Sequence, residues 1–456
     1  MIAQKNKTTA HHFFKKMKIN CSHIIIPVFV AGLILAQTAI AQDRVITLNE
    51  AIKLGIQNSK TLKLSQAKID EAISQYNQAK DLSKPTGSAS FGYDRAEIPY
   101  NTLSLGKTSL GLPKNNNAYL GILSAKEVIF NGNKFKYAQQ STELLSQVSR
   151  LDADLNKDDV VYDIISSYYN LYKVLQSEKV VKQNLNTIDE QIKQSQRFFD
   201  QGLVTKNDVL RFQLQRANIE LNGIDLETNR KIVNYNLNIL LGLPESTDLK
   251  VDTFTEASRQ IAPLTNYIDT AMASRNEVKQ FNLREEVAET NIKSIHANQA
   301  PVLAASGSAY YVGIAASPIP QTGNFITPIV IGLNLSWDFS TLWNNKNKIA
   351  QAKIQREEVD INKSITIDNI KREVNQNYEN YLMAVNKITL LQTSIAQAGE
   401  NNNILQSKYK SNVASATDRA DAQTLLYQAQ INLELAKADA GLAYYTLLKS
   451  TGKLNK

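Results

Sequence analysis

Apolar residues recur at intervals of three and four over most of the chain, and this spacing predicts amphipathic α-helices. The longest stretch runs from Lys134 to Gly202, with no Gly or Pro inside it. Its apolar positions follow nearly the 3.5-residue repeat of a coiled coil. They include Leu144, Val148, Leu151, Leu155, Val161, Ile165, Tyr169 and Tyr172. At about 1.5 Å per residue, such a helix would be on the order of 90–100 Å long, far longer than in an ordinary globular domain.

Four shorter segments alternate apolar residues with small or polar ones, which predicts β-strands. They span about 87–94, 118–130, 303–314 and 329–339. This alternation is typical of a transmembrane strand with lipid on one face and water on the other, and roughly 10–13 residues suit a tilted span. Trp337 or Phe339 would then lie where the last strand leaves the membrane. The alternative is an ordinary small antiparallel sheet on a soluble helical protein.

One short motif predicts a turn between two helices. Gly202 is suited to the left-handed conformation that ends a helix. Three residues later, Thr205 can cap the next helix, and Asp208 can complete a capping box. Because helical patterns continue on both sides, this motif predicts an αα-hairpin.

The same motif occurs again 210 residues later, with Asn412, Ser415 and Asp418 in the three roles. Asn is the other residue type that tolerates the left-handed conformation. The second copy therefore predicts a second hairpin, again with long helical patterns on both sides.

The surrounding elements repeat as well, which predicts two structural repeats. Each has the order helix, strand, strand, long helix, hairpin, helix. The first repeat would span 42–242, a linker 243–263, and the second repeat 264–456. Each repeat would open with a helix that ends at a proline, Pro85 or Pro301.

Finer boundaries follow from turn and cap residues. Asn49 would cap the first helix, which would run unbroken to about Lys84. The corresponding helix of the second repeat would run from Leu264 to Ala300, and the later long helix would start near Asn347. Loops are predicted at 95–117 and 317–324, and a short strand at 249–254 inside the linker.

Residues 1–41 have the composition of a cleaved secretory signal: five lysines and no acidic residue, an apolar run, and a small-residue end at Ala39 to Ala41. Cleavage is expected after Ala41. The alternative, a membrane anchor, fits less well because Pro27 interrupts a run barely long enough to span a bilayer.

Removing this segment changes the charge of the chain. The five lysines leave 46 basic residues of the original 51 against 43 acidic ones, so little is left to favour nucleic acid as a partner. Cys21 would also be removed, and His296 would be the only histidine left. Because Cys and His carry most zinc and nucleophile chemistry, the sequence predicts neither an enzyme nor a metal site. His296 itself is expected to be a solvent-exposed helix residue.

The doubled layout resembles the TolC family of outer-membrane efflux channels over nearly all of 42–456. The residues that carry the resemblance are the hairpin motif from Gly202 to Leu210, the turn from Phe130 to Asn133, and the helix end from Leu240 to Gly242. The resemblance implies a mainly α fold with a small β part. Long coiled-coil hairpins would form an α-barrel in the periplasm, and four transmembrane strands from each of three subunits would complete a 12-stranded β-barrel.

The resemblance also implies a function and its partners. The homotrimer would be the exit duct of a tripartite efflux or secretion system in a Gram-negative outer membrane, working with a periplasmic adaptor (membrane fusion) protein and an inner-membrane transporter of the RND or ABC type. No cofactor is implied. A secreted coiled-coil scaffold or adhesin without a pore is the alternative. The exported substrate is not predicted, because specificity would belong to the pump.

In such channels the hairpin tips close the periplasmic entrance. By the motif, Asp418 and Asp421 would face the pore, and Asn207, Asp208 and Tyr409 would be candidate links between coils. Helix capping alone is an equal alternative for Asp208 and Asp418, and an exposed helix charge is one for Asp421. Ala414 stands where family members often have a basic residue, so either closure would be weaker or Arg419 or Arg211 would supply the basic link.

Overall fold

The computed structural model describes residues 44–97, 99, 102–111, 115–252, 261–314 and 326–454. The expected signal segment 1–41 and the loop expected at 317–324 lie outside these residues. Within them the order of elements is the same in both halves of the chain: two helices, a strand pair, a long helix, a turn and a further helix.

Eight helices lie in the described ranges. They are α1 (Leu48–Asn58), α2 (Lys60–Asp81), α3 (Lys134–Asp200), α4 (Lys206–Leu241), α5 (Leu264–Ser274), α6 (Asn276–Ala297), α7 (Thr341–Lys410) and α8 (Ala416–Ser450). Helix α3 has 67 residues and α7 has 70, as the uninterrupted apolar repeat predicts. Helix α7 begins six residues before the predicted Asn347, so the boundary was wrong there while the element was right.

Each helix predicted to open a repeat is in fact two helices. Ser59 (ψ 121°) separates α1 from α2, and Arg275 (ψ 126°) separates α5 from α6, at equivalent positions of the two repeats. The Ser59 hydroxyl accepts a hydrogen bond from the Leu62 amide and so begins a new helix. The predicted N-cap Asn49 was also wrong: Thr47 caps α1 by accepting from the Glu50 amide at 3.2 Å.

Eight strands lie in the same ranges: β1 (Arg44–Ile46), β2 (Thr86–Glu97), β3 (Thr102–Leu105), β4 (Thr108–Gly111), β5 (Asn115–Phe130), β6 (Leu249–Val251), β7 (Val302–Ile314) and β8 (Ile329–Ser336). The four predicted strands form one antiparallel sheet in the order β2-β5-β7-β8. The loop predicted at 95–117 is partly strand, because β2 and β5 extend into it and β3 pairs with β4. Strand β8 ends before Trp337, although the alternation continues to Phe339.

A two-stranded parallel sheet joins the start of the described chain to the linker. Strand β1 pairs with β6, with Ile46 opposite Val251. The Tyr168 hydroxyl donates to the Ile46 carbonyl at 2.9 Å and accepts from the Asp252 amide at 3.3 Å. Burial raises the pKa of Tyr168 to about 12, so this hydroxyl keeps its proton.

The two hairpins pack side by side in the order α4, α3, α8, α7. Helix α3 contacts both α4 and α8, and α8 contacts α7, so α4 and α7 lie at the two edges. Two apolar clusters pack on these helices, the first within the first hairpin and the second between the two hairpins. The first lies near the β1–β6 sheet and includes Ile46, Ile164, Tyr168, Leu171, Leu237, Leu241 and Leu249. The second lies near the hairpin turns and includes Val181, Ile188, Phe212, Ile219, Tyr409, Ala416 and Ala420.

Candidate functional site

The turns between α3 and α4 and between α7 and α8 have the same backbone. Gly202 (φ 73°) and Asn412 (φ 56°) both take the left-handed conformation. In each turn the amide of the next residue donates to a helix carbonyl five positions earlier, at 2.9 and 2.8 Å. These bonds satisfy carbonyls that a helix end leaves free. The two turns lie at the same end of the layer of helices, and we call this end the tip.

Both predicted capping boxes are present at the tip. Thr205 accepts from the Asp208 amide at 3.4 Å, and its own amide donates to the Asp208 carboxylate at 2.8 Å. Ser415 and Asp418 make the same pair of bonds, each at 3.1 Å. Hydrogen bonds from the Ser415 hydroxyl and then from its amide lower the pKa of Asp418. Capping thus accounts for the positions of both carboxylates, and Asp418 stays charged near neutral pH.

Tyr409 lies inside the protein rather than on its surface. It is 3 % exposed, and its ring packs between those of Phe198 and Phe212, with centroids 5.9 and 5.8 Å away. Its hydroxyl donates to Ser195 Oγ at 3.3 Å, which joins α7 to α3 within one chain. Burial raises the pKa of Tyr409, so it remains neutral.

The other two predicted tip residues are exposed. Asn207 lies in the first turn of α4, and Asp421 lies further along α8.

The two arginines that could replace a basic residue at Ala414 differ in environment. Arg211 is exposed on α4 and donates to Thr417 Oγ1 on α8, so it links the two hairpins at the tip. Arg419 is 3 % exposed and donates to Asn402 Oδ1 on α7, which is inside the second hairpin. Burial lowers the pKa of Arg419. Of these two, only Arg211 makes a bond between the hairpins.

Sequence reasoning missed a set of amide side chains between α3 and α8, which we call the amide seam: Asn184, Gln191, Gln423 and Gln430. Gln423 Nε2 donates to Asn184 Oδ1 at 2.8 Å, Asn184 Nδ2 to Gln430 Oε1 at 3.1 Å, and Gln191 Nε2 to Gln423 Oε1 at 3.4 Å. On each helix the two seam residues are seven positions apart. That heptad spacing of amides within an apolar repeat is the signal that could have revealed them.

The four-stranded sheet has one strongly apolar face, and that face is exposed. On β8, Ile329, Ile331, Leu333 and Leu335 are 73, 84, 72 and 68 % exposed. Cross-strand pairing places Phe91 and Leu123 on the same face, at 68 and 63 % exposure. The opposite face is rich in serine, including Ser88, Ser90, Ser124, Ser306 and Ser308.

Exposed aromatic side chains come directly after β8. Trp337 and Phe339 have ring centroids 6.4 Å apart, and Phe339 and Trp343 6.0 Å. The Trp337 indole donates to the Gln299 carbonyl at 3.0 Å. An apolar band bordered by aromatic rings at one end is the surface expected of a strand that crosses a bilayer.

In the described part of the chain, no group of three or more His, Cys, Asp or Glu side chains is placed to hold a metal ion. His296 is an exposed residue in the last turn of α6. No helix in the same ranges combines the length and apolar character needed to cross a membrane.

The model of the outer membrane efflux protein family matches residues 51–243 and 267–453. The chain belongs to this family. A curated relative, the outer membrane efflux protein BepC of Brucella suis biovar 1 (strain 1330), is 21 % identical over 434 residues, covering 94 % of this chain and 89 % of BepC. The solved structure of VceC from Vibrio cholerae has a TM-score of 0.75 at 15 % identity, covering 89 % of this chain and 96 % of VceC.

CmeC of Campylobacter jejuni, an outer membrane channel, has a TM-score of 0.73 at 15 % identity, covering 89 % of this chain and 86 % of CmeC. These likenesses confirm the predicted fold class at the level of one chain: long helical hairpins with a small β part. Family membership confirms the resemblance and identifies an outer membrane efflux protein, a transport protein of the outer membrane. It favours the channel over the scaffold without a pore.

Proposed function

We propose that three copies of this chain form the outer-membrane duct of a tripartite efflux or secretion system. The observation that carries the proposal is the exposed apolar face of the β2-β5-β7-β8 sheet, combined with the two open edges of that sheet. A continuous exposed apolar face is unfavourable in water, and an open sheet edge is unfavourable in lipid. Both problems are solved if sheets from several chains join edge to edge within a bilayer.

The sheet edges determine how the copies would join. In one chain β2 and β8 are the outer strands, so β8 of one copy would pair with β2 of the next. Four strands are too few to close a barrel, whereas twelve strands from three copies close with room for an aqueous channel. The apolar faces would then contact lipid and the serine-rich faces would line the interior.

The helices at the two edges of the hairpin layer support the same arrangement. On α4, exposed apolar residues follow a coiled-coil repeat: Leu210, Leu214, Leu221, Ile232, Tyr235 and Ile239. On the part of α7 nearer the tip, Met383, Leu390 and Ile404 are likewise exposed. Helix α4 of one copy would pack against α7 of the next, which closes a ring of helices and buries both sets.

The proposed partners are those expected for an outer membrane efflux protein. The tip would meet a periplasmic adaptor protein, and an inner-membrane transporter of the RND or ABC type would supply the energy. The duct itself needs no cofactor. Opening would separate the hairpins at the tip as a population shift that the adaptor favours. The first 41 residues would direct export and be removed after Ala41.

At the tip of the trimer, Asp418 and Asp421 would form acidic rings around the entrance, and Asn207 would face the neighbouring copy. Asp208 and Asp418 would also keep their capping roles, since a cap uses only part of a carboxylate's hydrogen-bonding capacity. Tyr409 would act from inside the chain, through Ser195, to hold α7 against α3.

The test is extraction of the mature protein from outer membranes, followed by measurement of its mass in detergent and its conductance in planar bilayers. A detergent-dependent trimer that conducts ions is expected. A monomer that is extracted in plain buffer, without conductance, would instead be the scaffold.

A further inference from the structure

The contact between the two hairpins changes chemical character along its length. Away from the tip, α3 and α8 are joined by ion pairs, Lys173 with Asp439 and Lys449 with Asp159, and by apolar packing of Tyr169 against α8. Toward the tip, the same two helices are joined by the amide seam of Asn184, Gln191, Gln423 and Gln430, which lies beside the apolar cluster of Val181, Ile188, Ala416 and Ala420. No ion pair within the described ranges joins α3 to α8 in that part.

The seam is buried and only partly satisfied. Asn184, Gln191 and Gln423 are 3, 6 and 3 % exposed, and Gln191 Oε1 has no hydrogen-bond partner. A second amide oxygen near the tip, Gln215 Oε1 on α4, is also buried without a partner. Gln215 Nε2 donates to the Ala420 carbonyl at 3.2 Å and to Thr424 Oγ1 at 3.0 Å on α8. Burying amide groups that an apolar side chain could replace costs free energy, so their presence here calls for a reason other than stability.

The chemistry of an amide supplies that reason. Each Asn or Gln side chain both donates and accepts, so any two of them can pair in either direction. If α8 moved along or away from α3, seam amides could exchange partners with one another or with water. A well-packed apolar contact has no such alternative arrangement, because its side chains fit in one register.

We propose that the amide seam holds the two hairpins of each subunit together in the resting state and releases them when the duct opens, with neutral amides rather than ion pairs as the contacts that are exchanged. The inference rests on the proposed duct function. It differs from the links that the TolC resemblance implies, which use acidic and basic residues at the tip. In this chain Asp208 and Asp418 are engaged in capping, and Arg419 is bonded inside the second hairpin. Arg211 does join the two hairpins, but its partner is the neutral hydroxyl of Thr417 and not a carboxylate.

A neutral seam makes the resting state insensitive to pH and salt over the physiological range. The seam itself consists of neutral amides only. The ionisable groups near it that have partners or are buried are Asp189, Glu190, Lys193, Asp208, Arg211, Arg216, Tyr409, Asp418 and Arg419. Those on the outer surface are Lys182, Lys408, Lys410 and Asp421, and Tyr427 is half-buried, with its pKa raised by burial. The conductance of the wild-type duct, corrected for the bulk solution, should therefore stay constant from about pH 5.5 to 8.

The experiment compares three variants of the full-length trimer in planar bilayers. Gln423→Ala removes the residue that bonds both Asn184 and Gln191, and a severalfold rise in resting conductance is expected. Asn184→Leu with Gln423→Leu replaces one amide pair by an apolar pair, and resting conductance should stay at the wild-type value. Gln428→Ala, at an exposed amide on the same helix, is the matched control and should change nothing.

The outcomes separate this inference from the function on which it depends. If wild-type trimers do not conduct, the duct function fails. If they conduct and Gln423→Ala is indistinguishable from Gln428→Ala while both remain trimeric, the seam does not hold the resting state. A wild-type conductance that rises severalfold between pH 8 and 5.5 would show a charged lock and would also overturn the proposal. The thermal unfolding of each trimer, followed by circular dichroism, separates a change of gating from a loss of folding.

Discussion

A hydroxyl and a carboxylate three residues apart determine where the second helix of each hairpin, α4 or α8, begins. Thr205 with Asp208, and Ser415 with Asp418, were predictable from the sequence because a capping box is local: every group it needs lies within four residues. Tyr409 shows the opposite case. Its motif position indicates a tip residue, but its burial between Phe198 and Phe212 depends on helices distant in sequence.

The acidic residues of the tip give a first prediction. In the trimer, Asp418→Ala with Asp421→Ala should reduce block of the duct by multivalent cations and lower its preference for cations, because two rings of charge are removed. The pKa of Asp418 is lowered in the folded protein, so its charge is retained at neutral pH and lost only in strong acid. The measurement is single-channel conductance with and without a trivalent cation.

The matched control for this pair is Asp225→Ala, which removes an acidic residue of α4 well away from the tip. Unchanged block and selectivity in the double variant would remove Asp418 and Asp421 from the pore.

Two glycines inside helices should respond in opposite ways to alanine. A Cβ at Gly441 would lie 2.3 Å from Tyr169 Cε1, whereas nothing lies within 4 Å of one at Gly399. Gly441→Ala should destabilise the chain by about 1–3 kcal/mol through this overlap. Gly399→Ala should stabilise it by about 0.5–1 kcal/mol, because alanine favours helix. Thermal unfolding of the two variants in detergent is the measurement. Equal shifts in the same direction would contradict the contact with Tyr169.

At the scale of elements, hydrophobic periodicity was sufficient to predict the long helices but not their interruptions. The two interruptions fall at Ser59 and Arg275, neither of which is a helix-breaking Gly or Pro. At each of them the chain leaves the helix for one residue only. Ser59 can cap the helix after it, but a serine inside a helical pattern is common and carries little information. At Arg275 the guanidinium is bonded to Glu277 and to the Ser450 carbonyl, the latter a contact with the far end of the chain. A helix break that depends on a tertiary contact of this kind cannot be predicted from the local sequence pattern.

The exposed apolar residues of α4 give a prediction at this scale. Leu221→Glu should weaken assembly, because a charge would be buried where α4 meets α7 of the next copy. The expected result is a larger fraction of monomer in detergent, measured by light scattering. Asn229→Glu, eight residues later, about 80° round the helix from Leu221 and also exposed, is the control and should assemble as the wild type does. Equal trimer fractions for the two variants would exclude α4 from the subunit contact.

For the whole molecule, the proposed barrel would give the two faces of the sheet different surroundings. Leu333 lies on the apolar face and Asn334 on the serine-rich face, one residue away. Leu333→Arg should reduce the yield of outer-membrane trimer, since a charge on the lipid side costs about 2–4 kcal/mol near the middle of the bilayer. Asn334→Arg should insert normally and alter only conductance. Heat-resistant trimer on a denaturing gel measures the yield. The reverse pattern would mean that the faces are assigned the wrong way round.

The parallel pairing of β1 with β6 constrains the order in which parts of the chain can fold. Residues 44–46 come first in the described part of the chain, yet the strand that completes their sheet is 249–251, and Tyr168 bonds the Ile46 carbonyl and the Asp252 amide beside it. A loop of about two hundred residues has to close before these contacts form, which is slow because contacts distant in sequence form late. The first strand of the described chain can therefore pair only after the first hairpin has been made, and a chain truncated before residue 249 would leave β1 without its partner strand.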